Sequence, residues 1–140
     1  MKEITDKDMY ESQRLNILIV DSKNDATQLK LFIQEMTHRA LIIENYRDAL
    51  NEIKRSSFDL IMVEMKLNGG IDLIKQIRKL KRYQQILAMT SESSRDIERI
   101  ARELRVIYYM IKPINSNELE SILNYLVKRK TKDHNLITNR

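Results

Sequence analysis

The sequence of 140 residues has no cysteine, only two glycines and one proline. Without cysteine, disulfides, thiolate catalysis and cysteine-based zinc sites are excluded, as fits a reducing cytosol. No apolar run approaches the roughly 18 residues that a membrane-spanning helix needs. The first 14 residues are too polar for a secretory signal peptide. With 42% hydrophobic and 32% charged residues, we expect one globular domain in the cytoplasm, without a membrane partner.

The charge balance is basic, with a formal net charge of +5. Two clusters contribute to it: Lys79, Lys81 and Arg82, and Lys128, Arg129, Lys130 and Lys132. Both fall near predicted helix ends, where cations are favoured by the helix dipole. Because no aromatic stacking motif accompanies them, we do not expect nucleic acid binding. A basic module that binds nucleic acid or a membrane surface remains an alternative interpretation.

Short β-branched runs alternate with amphipathic helical patterns along the chain, which is typical of parallel βαβ units. The predicted strands are 15–20, 40–43, 60–63, 86–89 and 106–111. Each is followed by a segment with apolar residues at helical spacing, the first of them capped by Asn24 or Asp25. We therefore predict a flavodoxin-like, doubly wound α/β fold: three layers, five parallel strands in the order 2-1-3-4-5, and five helices.

The predicted domain covers residues 15–128, between a polar N-terminal extension (1–14) and a basic polar C-terminal tail (129–140). Doubly wound sheets bind their ligands at the carboxyl ends of the strands. The residues at those ends are Asp21, Ser22, Glu64, Met65, Lys66, Thr90, Ser91 and Lys112. His38 and His134 have no partner at metal-ligand spacing, and we predict both on the surface.

These strand ends resemble the receiver domains of two-component response regulators. Four segments carry the resemblance in the family's order: Ile-Val-Asp at 19–21, Asp-Leu-Ile-Met-Val-Glu at 59–64, Met-Thr-Ser at 89–91 and Tyr-Met-Ile-Lys-Pro at 109–113. In that family an aspartate after the third strand accepts a phosphoryl group. A divalent cation, a lysine and a hydroxyl stabilise the transferred group, and an aromatic residue responds to it.

The resemblance assigns the lysine to Lys112, the switch hydroxyl to Thr90 and the switch aromatic to Tyr109. Glu64 takes the place of the phosphoacceptor aspartate.

The implied metal site is degenerate. Asp21 matches the first of two acids, but Ser22 takes the place of the second. Lys66 would offer the metal-binding carbonyl, and its ammonium adds positive charge there. The following loop has no proline and reaches Gly70 after six residues rather than eight, which indicates a loop two residues shorter.

These departures predict an atypical receiver, or pseudo-receiver, that is not phosphorylated, is not an enzyme and needs no cofactor. Weak Mg²⁺ binding at Asp21, Ser22, Glu64 and Lys66 stays open. The alternative is an active divergent receiver whose metal is held by Asp21 and Glu64. Glu64 either imitates a phosphorylated aspartate in part, or merely neutralises Lys112.

The implied partner is a signalling protein, either a histidine kinase or a downstream effector. We expect it on the face formed by the fourth helix, fifth strand and fifth helix, which carries Arg95, Arg99, Arg102 and Tyr108. A solvated charged surface would explain the same residues. With no output domain recognised, we predict a stand-alone domain, either a monomer or a weak homodimer.

Overall fold

The computed structural model describes residues 5, 13–67 and 69–138, and only the helical backbone for 134–138. The strands are β1 (Asn16–Val20), β2 (Arg39–Ile43), β3 (Leu60–Glu64), β4 (Ile86–Thr90) and β5 (Tyr108–Ile111). The helices are α1 (Lys23–Glu35), α2 (Tyr46–Arg55), α3 (Gly70–Leu80), α4 (Arg95–Glu103) and α5 (Ser116–Thr138). Of the predicted N-terminal extension, residues 1–4 and 6–12 lie outside the described part of the chain.

All neighbouring strands are parallel, in the order β2-β1-β3-β4-β5. The predicted flavodoxin-like fold is confirmed. The sheet separates two apolar layers because alternate side chains of a strand face opposite sides. Leu18 and Val63 pack on the side of α2, α3 and α4, whereas Ile17 and Met62 pack on the side of α1 and α5.

Local sequence explains where the helices begin. The side chain of Ser22 accepts a hydrogen bond from the Asp25 amide and caps α1, so the predicted caps Asn24 and Asp25 are wrong. Ser94 caps α4 in the same way. At the start of α5, Asn115 Oδ1 accepts the Glu118 amide at 2.9 Å, which is one half of a capping box.

Strand β5 begins at Tyr108 rather than at residue 106. The chain leaves α4 through Arg105, whose φ of 59° is left-handed, and the Val106 amide still donates to the Ala101 carbonyl. These two residues complete the helix end, so they cannot join the sheet. Arg78 supports this turn from α3, because its guanidinium donates to the carbonyls of Leu104 and Arg105.

The segment predicted as a C-terminal tail is helical as far as it is described, because α5 continues past Lys128 to Thr138, and residues 139–140 lie outside the described part of the chain. Lys130 ties it to the domain by donating to the Arg14 carbonyl at 2.8 Å and to Asp59 Oδ2 at 3.1 Å. The prediction of a surface position is wrong for His38, which is only 5% exposed. The side chain of His134 lies outside the described residues. In the part of the chain that is described, no helix is long and apolar enough to cross a membrane.

Candidate functional site

Three charged residues from the ends of β1, β3 and β5 meet at the carboxyl edge of the sheet. The Lys112 ammonium lies 2.6 Å from Asp21 Oδ2 and 2.8 Å from Glu64 Oε2. A third carboxylate joins them from the first turn of α1, since Asp25 Oδ2 is 3.0 Å from the same nitrogen. We call Lys112, Asp21, Asp25 and Glu64 the carboxyl-edge cluster.

Asp21 and Ser22 are committed to local structure. Asp21 Oδ1 accepts the Ser22 amide at 2.7 Å, while its other oxygen accepts from Lys112. The Ser22 hydroxyl accepts the Asp25 amide at 3.3 Å. This capping contact helps to place Asp25 at the first turn of α1, beside Lys112.

The Glu64 carboxylate is almost fully buried, with 6% of the residue exposed. Its Oε1 accepts the backbone amide of Lys66 at 3.0 Å. Its Oε2 makes the ion pair with Lys112 but has no hydrogen-bond donor among the described residues. The contact is short enough for an ion pair, while its angle departs from that of a hydrogen bond. Glu64 is therefore held mainly by charge.

Lys112 stays positively charged in this cluster. Burial by itself would lower the pKa of Lys112, but the contacts with Asp21, Glu64 and Asp25 outweigh it and raise the pKa above its ordinary value. With one ammonium and three carboxylates, the cluster has a formal charge of −2 when all four groups are ionised. The positive charge of Lys112 is thus shared among more carboxylates than it can neutralise.

Lys66 turns its ammonium away from this cluster. Its Nζ lies 2.5 Å from Glu92 Oε2, in the loop between β4 and α4. The hydrogen bond from Lys66 holds the pKa of Glu92 below its ordinary value. Through its amide and its side chain, Lys66 connects Glu64 with that loop.

Thr90 and Tyr109 contact the same loop. The buried Thr90 hydroxyl donates to the Glu92 carbonyl at 2.9 Å and accepts the Glu92 amide at 3.3 Å. The Tyr109 hydroxyl is 3.0 Å from Ser93 Oγ. The hydrogen bonds found for both hydroxyls thus lead to residues 92–93, rather than to Glu64 or Lys112.

The loop after β3 packs tightly against the backbone of Glu64. A Cβ atom added to Gly70 would lie 2.3 Å from the Glu64 carbonyl oxygen, a contact that no side chain can make. The preceding Gly69 has a φ of 85°, a conformation that favours glycine. The two glycines let α3 begin six residues after Glu64.

A cavity of about 770 Å³ opens beside Lys112, between α1 and the start of α5. Asp21, Asp25 and Lys112 form its polar end, and Leu29, Phe32 and Leu119 belong to its apolar wall. Sequence reasoning missed both the cavity and Asp25. The available signal was the spacing of Asp25 four residues after Asp21, at the start of a predicted helix.

The predicted partner face is charged and exposed. Arg102 pairs with Glu98 at 2.7 Å within α4, and Arg99 lies 3.6 Å from Asp96. Arg95 is exposed at the start of the same helix. Tyr108 is half-buried on the side of α1 and α5, whereas Tyr109 packs on the side of α4.

Comparison with known proteins identifies the family. The family model of the response regulator receiver domain matches residues 17–124. The chain belongs to this family. Receiver domains act in two-component signalling, where they interact with histidine kinases and effectors.

Curated relatives of this receiver are longer proteins. It is 26% identical over 115 residues to the transcriptional regulatory protein ZraR of Klebsiella oxytoca. The matched region covers 80% of this chain and 26% of ZraR. It is 30% identical over 115 residues to the autoinducer 2 sensor kinase/phosphatase LuxQ of Vibrio vulnificus, covering 79% of this chain and 13% of LuxQ. The chain thus spans about a quarter or less of the length of these relatives.

Solved structures share the fold over nearly their whole length. A two-component response regulator from Clostridium difficile has a TM-score of 0.76 and 28% identity, covering 83% of this chain and 98% of that one. A CheY-like receiver domain protein from Methanospirillum hungatei has the same TM-score, 20% identity, and coverage of 86% and 98%.

The divalent cation that the family implies does not fit the side chains as they are arranged. The cation that Asp21, Asp25 and Glu64 share is the Lys112 ammonium, within 3.0 Å of one oxygen from each. The Ser22 hydroxyl, at the position that the resemblance assigns to a second acid, caps α1. Across the described residues, no group of three or more acidic, histidine or cysteine side chains could hold a metal ion.

Proposed function

We propose that this receiver domain works in signal transduction through protein–protein contacts, without phosphorylation and without catalysing a reaction. One observation carries the proposal. At the position where the family has its phosphoacceptor, a buried Glu64 is paired with Lys112, which is also bound by Asp21 and Asp25. The lysine that would stabilise a transferred phosphoryl group is occupied by the protein's own carboxylates.

The length of the Glu64 side chain supports the proposal. Glutamate carries its carboxylate about 1.5 Å farther from the backbone than aspartate does. A displacement of about 1 Å can lower a rate by about a hundredfold where the reaction depends on alignment. The carboxylate is also buried, and an in-line phosphodonor must approach it from solvent.

The charge of the carboxyl-edge cluster also opposes phosphorylation. A phosphoryl group would add about −1.5 to −2 charges next to three carboxylates and one ammonium. A divalent cation would offset that charge, but Ser22 takes the place of one of the acids that would bind it. Phosphorylation here would therefore be opposed by both geometry and electrostatics.

Between the two roles considered for Glu64, we favour neutralisation of Lys112 over imitation of a phosphoryl group. A carboxylate that imitated the phosphorylated state would attract the Thr90 hydroxyl. Instead, that hydroxyl bonds to the backbone of Glu92, and Tyr109 bonds to Ser93. These contacts support a receiver with one resting arrangement of the β4–α4 loop.

For docking we propose the face of α4, β5 and α5, with a histidine kinase or downstream effector as partner. Arg95, Arg99 and Arg102 belong to α4, and Tyr108 belongs to β5. Ile107 and Ile111 add apolar surface, with 74% and 53% of each residue exposed. Exposed apolar side chains rimmed by charge are typical of interaction surfaces. The stand-alone status, the cytoplasmic location and the monomer or weak homodimer stay predictions.

The test is incubation with a small-molecule phosphodonor and Mg²⁺, followed by intact mass measurement. We expect no phosphate adduct on the wild-type protein. A stoichiometric adduct would contradict the proposal and support the active divergent receiver instead. The matched control is the double variant Glu64→Asp with Ser22→Asp, which restores both acids. Aspartate is also a good N-cap, so α1 should keep its start in this variant.

A second measurement separates the two roles of Glu64. Glu64→Asp, Glu64→Gln and Glu64→Ala are compared in binding to the signalling partner once it is known. If Glu64 only neutralises Lys112, partner affinity should follow the stability of each variant. Loss of binding in a variant that remains as stable as the wild type would favour partial imitation of a phosphoryl group, because a population shift needs a differential interaction between two states.

A further inference from the structure

A second polar cluster lies at the opposite, amino edge of the sheet, far from the carboxyl-edge cluster. His38 is buried in the turn between α1 and β2, with 5% of the residue exposed. Its Nδ1 accepts the backbone amide of Leu15 at 3.0 Å. Leu15 itself is fully buried and directly precedes β1. This histidine therefore holds the start of the first strand.

Two further side chains hold the same short segment from other elements. Asp59, just before β3, accepts the Asn16 amide at 2.7 Å. Lys130 of α5 donates to Asp59 Oδ2 at 3.1 Å and to the Arg14 carbonyl at 2.8 Å. We call His38, Asp59 and Lys130 the amino-edge clamp. It fastens residues 14–16 to β2, β3 and α5 together.

The contact with Leu15 requires a neutral imidazole. A histidine accepts through Nδ1 only when its proton is on Nε2, and both nitrogens become donors once the ring is protonated. A protonated His38 would point an N–H group at the Leu15 N–H. A buried amide that loses its acceptor destabilises the arrangement around it.

The charged groups around His38 come from each element of the clamp. Burial lowers the pKa of His38 most strongly, Asp59 opposes this effect, and Lys130 and Arg14 add to it. Asp59 is already engaged by Lys130 and by the Asn16 amide, so it offers little compensation to a new cation. The folded protein thus favours the neutral ring.

We propose that His38 makes the amino-edge clamp sensitive to pH, so that its protonation releases residues 14–16 and weakens the attachment of α5 to them through Lys130. The carboxyl-edge cluster contains no histidine and serves as the reference. The direction of the effect follows from the preference of the fold for neutral His38. A released histidine binds a proton near its ordinary pKa of about 6.5, so acid favours the released state. Release is independent of whether Glu64 accepts phosphate.

The test is amide hydrogen exchange of the full chain at pH 7.5, 6.5 and 5.5, corrected for the intrinsic rate. One proton bound on release shifts the equilibrium by up to about tenfold per pH unit below the pKa of the released state. We expect protection of the Leu15 and Arg39 amides to fall by up to about tenfold between pH 7.5 and 5.5, of which about fivefold falls between pH 6.5 and 5.5. The Met65 amide, bonded to the Met89 carbonyl at the other edge, should keep its protection.

The matched variant is His38→Asn, because an asparagine oxygen can replace Nδ1 as acceptor and does not titrate in this range. Its Leu15 protection should be independent of pH, while His134→Asn should behave like the wild type. Unchanged acid sensitivity in His38→Asn would overturn the proposal. If that variant fails to fold, the ring nitrogen resonances of wild-type His38 give the answer. A ring that protonates while Leu15 remains protected would also overturn it.

Discussion

At both edges of the sheet, a lysine from late in the chain pairs with a carboxylate near a strand. The two pairings serve different purposes. At the amino edge, Lys130 meets one carboxylate and one carbonyl, and its side chain is 36% exposed. At the carboxyl edge, Lys112 meets three carboxylates and is 15% exposed. A single pair is enough to fasten a helix to a sheet.

The carboxyl edge has more carboxylates than are needed to attach one lysine. Their number therefore requires another explanation. Under the proposed function, Asp21 and Glu64 match the positions at which receivers carry out phosphotransfer, and both lie around Lys112. This concentration of like charge is a cost to stability that the amino edge does not carry. The comparison predicts that the two edges respond differently when a charge is removed.

Removing the lysine of the carboxyl edge should have the largest effect. Lys112→Met leaves Asp21 and Glu64 buried without a countercharge, and breaking such a cluster from one side costs about 3–5 kcal/mol. Urea unfolding at pH 7 measures it. The control is Lys66→Met, which removes an exposed pair with Glu92 and should cost at most about 1 kcal/mol. Similar losses in both variants would mean that burial of the cluster does not matter.

The two aspartates around Lys112 should differ. Asp21→Asn weakens contacts with Lys112 and with the Ser22 amide, and we expect a loss of about 2 kcal/mol. Asp25→Asn removes a carboxylate that is 57% exposed, so its loss should stay below about 1 kcal/mol. Chemical denaturation of both variants at neutral pH compares them. A larger loss for Asp25→Asn would contradict the assigned order.

Alkaline pH should expose the raised pKa of Lys112. Because the folded protein holds this proton more tightly than the unfolded chain, the stabilisation is complete below the ordinary pKa of about 10.4 and is lost as the pH rises above it. We expect the stability difference between wild type and Lys112→Met to shrink by up to about 1.4 kcal/mol per pH unit above that point. Denaturation curves at pH 9 and 11 measure it, and the comparison with Lys112→Met cancels the titration of the tyrosines. A constant difference would mean that folding does not raise the pKa of Lys112.

The amino edge should tolerate the loss of its lysine better. Lys130→Met removes the hydrogen bonds to Asp59 and Arg14 but leaves Asp59 with the Asn16 amide and access to water. We expect a loss of about 1 kcal/mol, as for a partly exposed pair. Thermal unfolding in low and high salt measures it, and the loss should diminish with salt. A loss as large as that of Lys112→Met would remove the distinction between the edges.

Neutralising Glu64 should have the smallest effect. Glu64→Gln keeps the shape of the side chain and removes one of three like charges, while Lys112 retains Asp21 and Asp25. We expect a change below about 1 kcal/mol in either direction, because relief of repulsion offsets the lost ion pair. A double-mutant cycle with Lys112→Met isolates the pair. A coupling of several kcal/mol would mean that Glu64, rather than Asp21, is the main partner of the lysine.

The sequence was sufficient for the fold because its signals are local. Apolar runs such as Ile17–Val20 alternate with helical spacing, and parallel connection rules leave few topologies. Strand ends were placed to within a residue or two, and Asp21, Glu64 and Lys112 then had to share one edge.

The parts that the sequence did not predict depend on contacts between distant segments. His38 carries no periodic pattern, and its buried ring accepts a hydrogen bond from Leu15, which lies 23 residues away. The sequence marked Ser22 only as the residue in place of a metal-binding acid, and its role as the cap of α1 depends on where that helix begins. The lysines after residue 127 suggested a solvated tail, because no pattern in them reveals that Lys130 reaches Asp59.

Helix α5 is long enough that a small rotation near its middle would displace its C-terminal end by a larger distance. Its 23 residues correspond to about 35 Å of helix, of which about 18 Å lie beyond Leu126. Among the described side chains of this helix, Leu126 is the last one buried in the apolar layer, with Val127 packed against it, and Lys130 makes the contacts that follow. If the contacts of Lys130 break, a rotation of α5 by about 10° about Leu126 would displace Thr138 by about 3 Å. An adjustment too small to disturb the core would thus become a movement large enough for a neighbouring protein to detect.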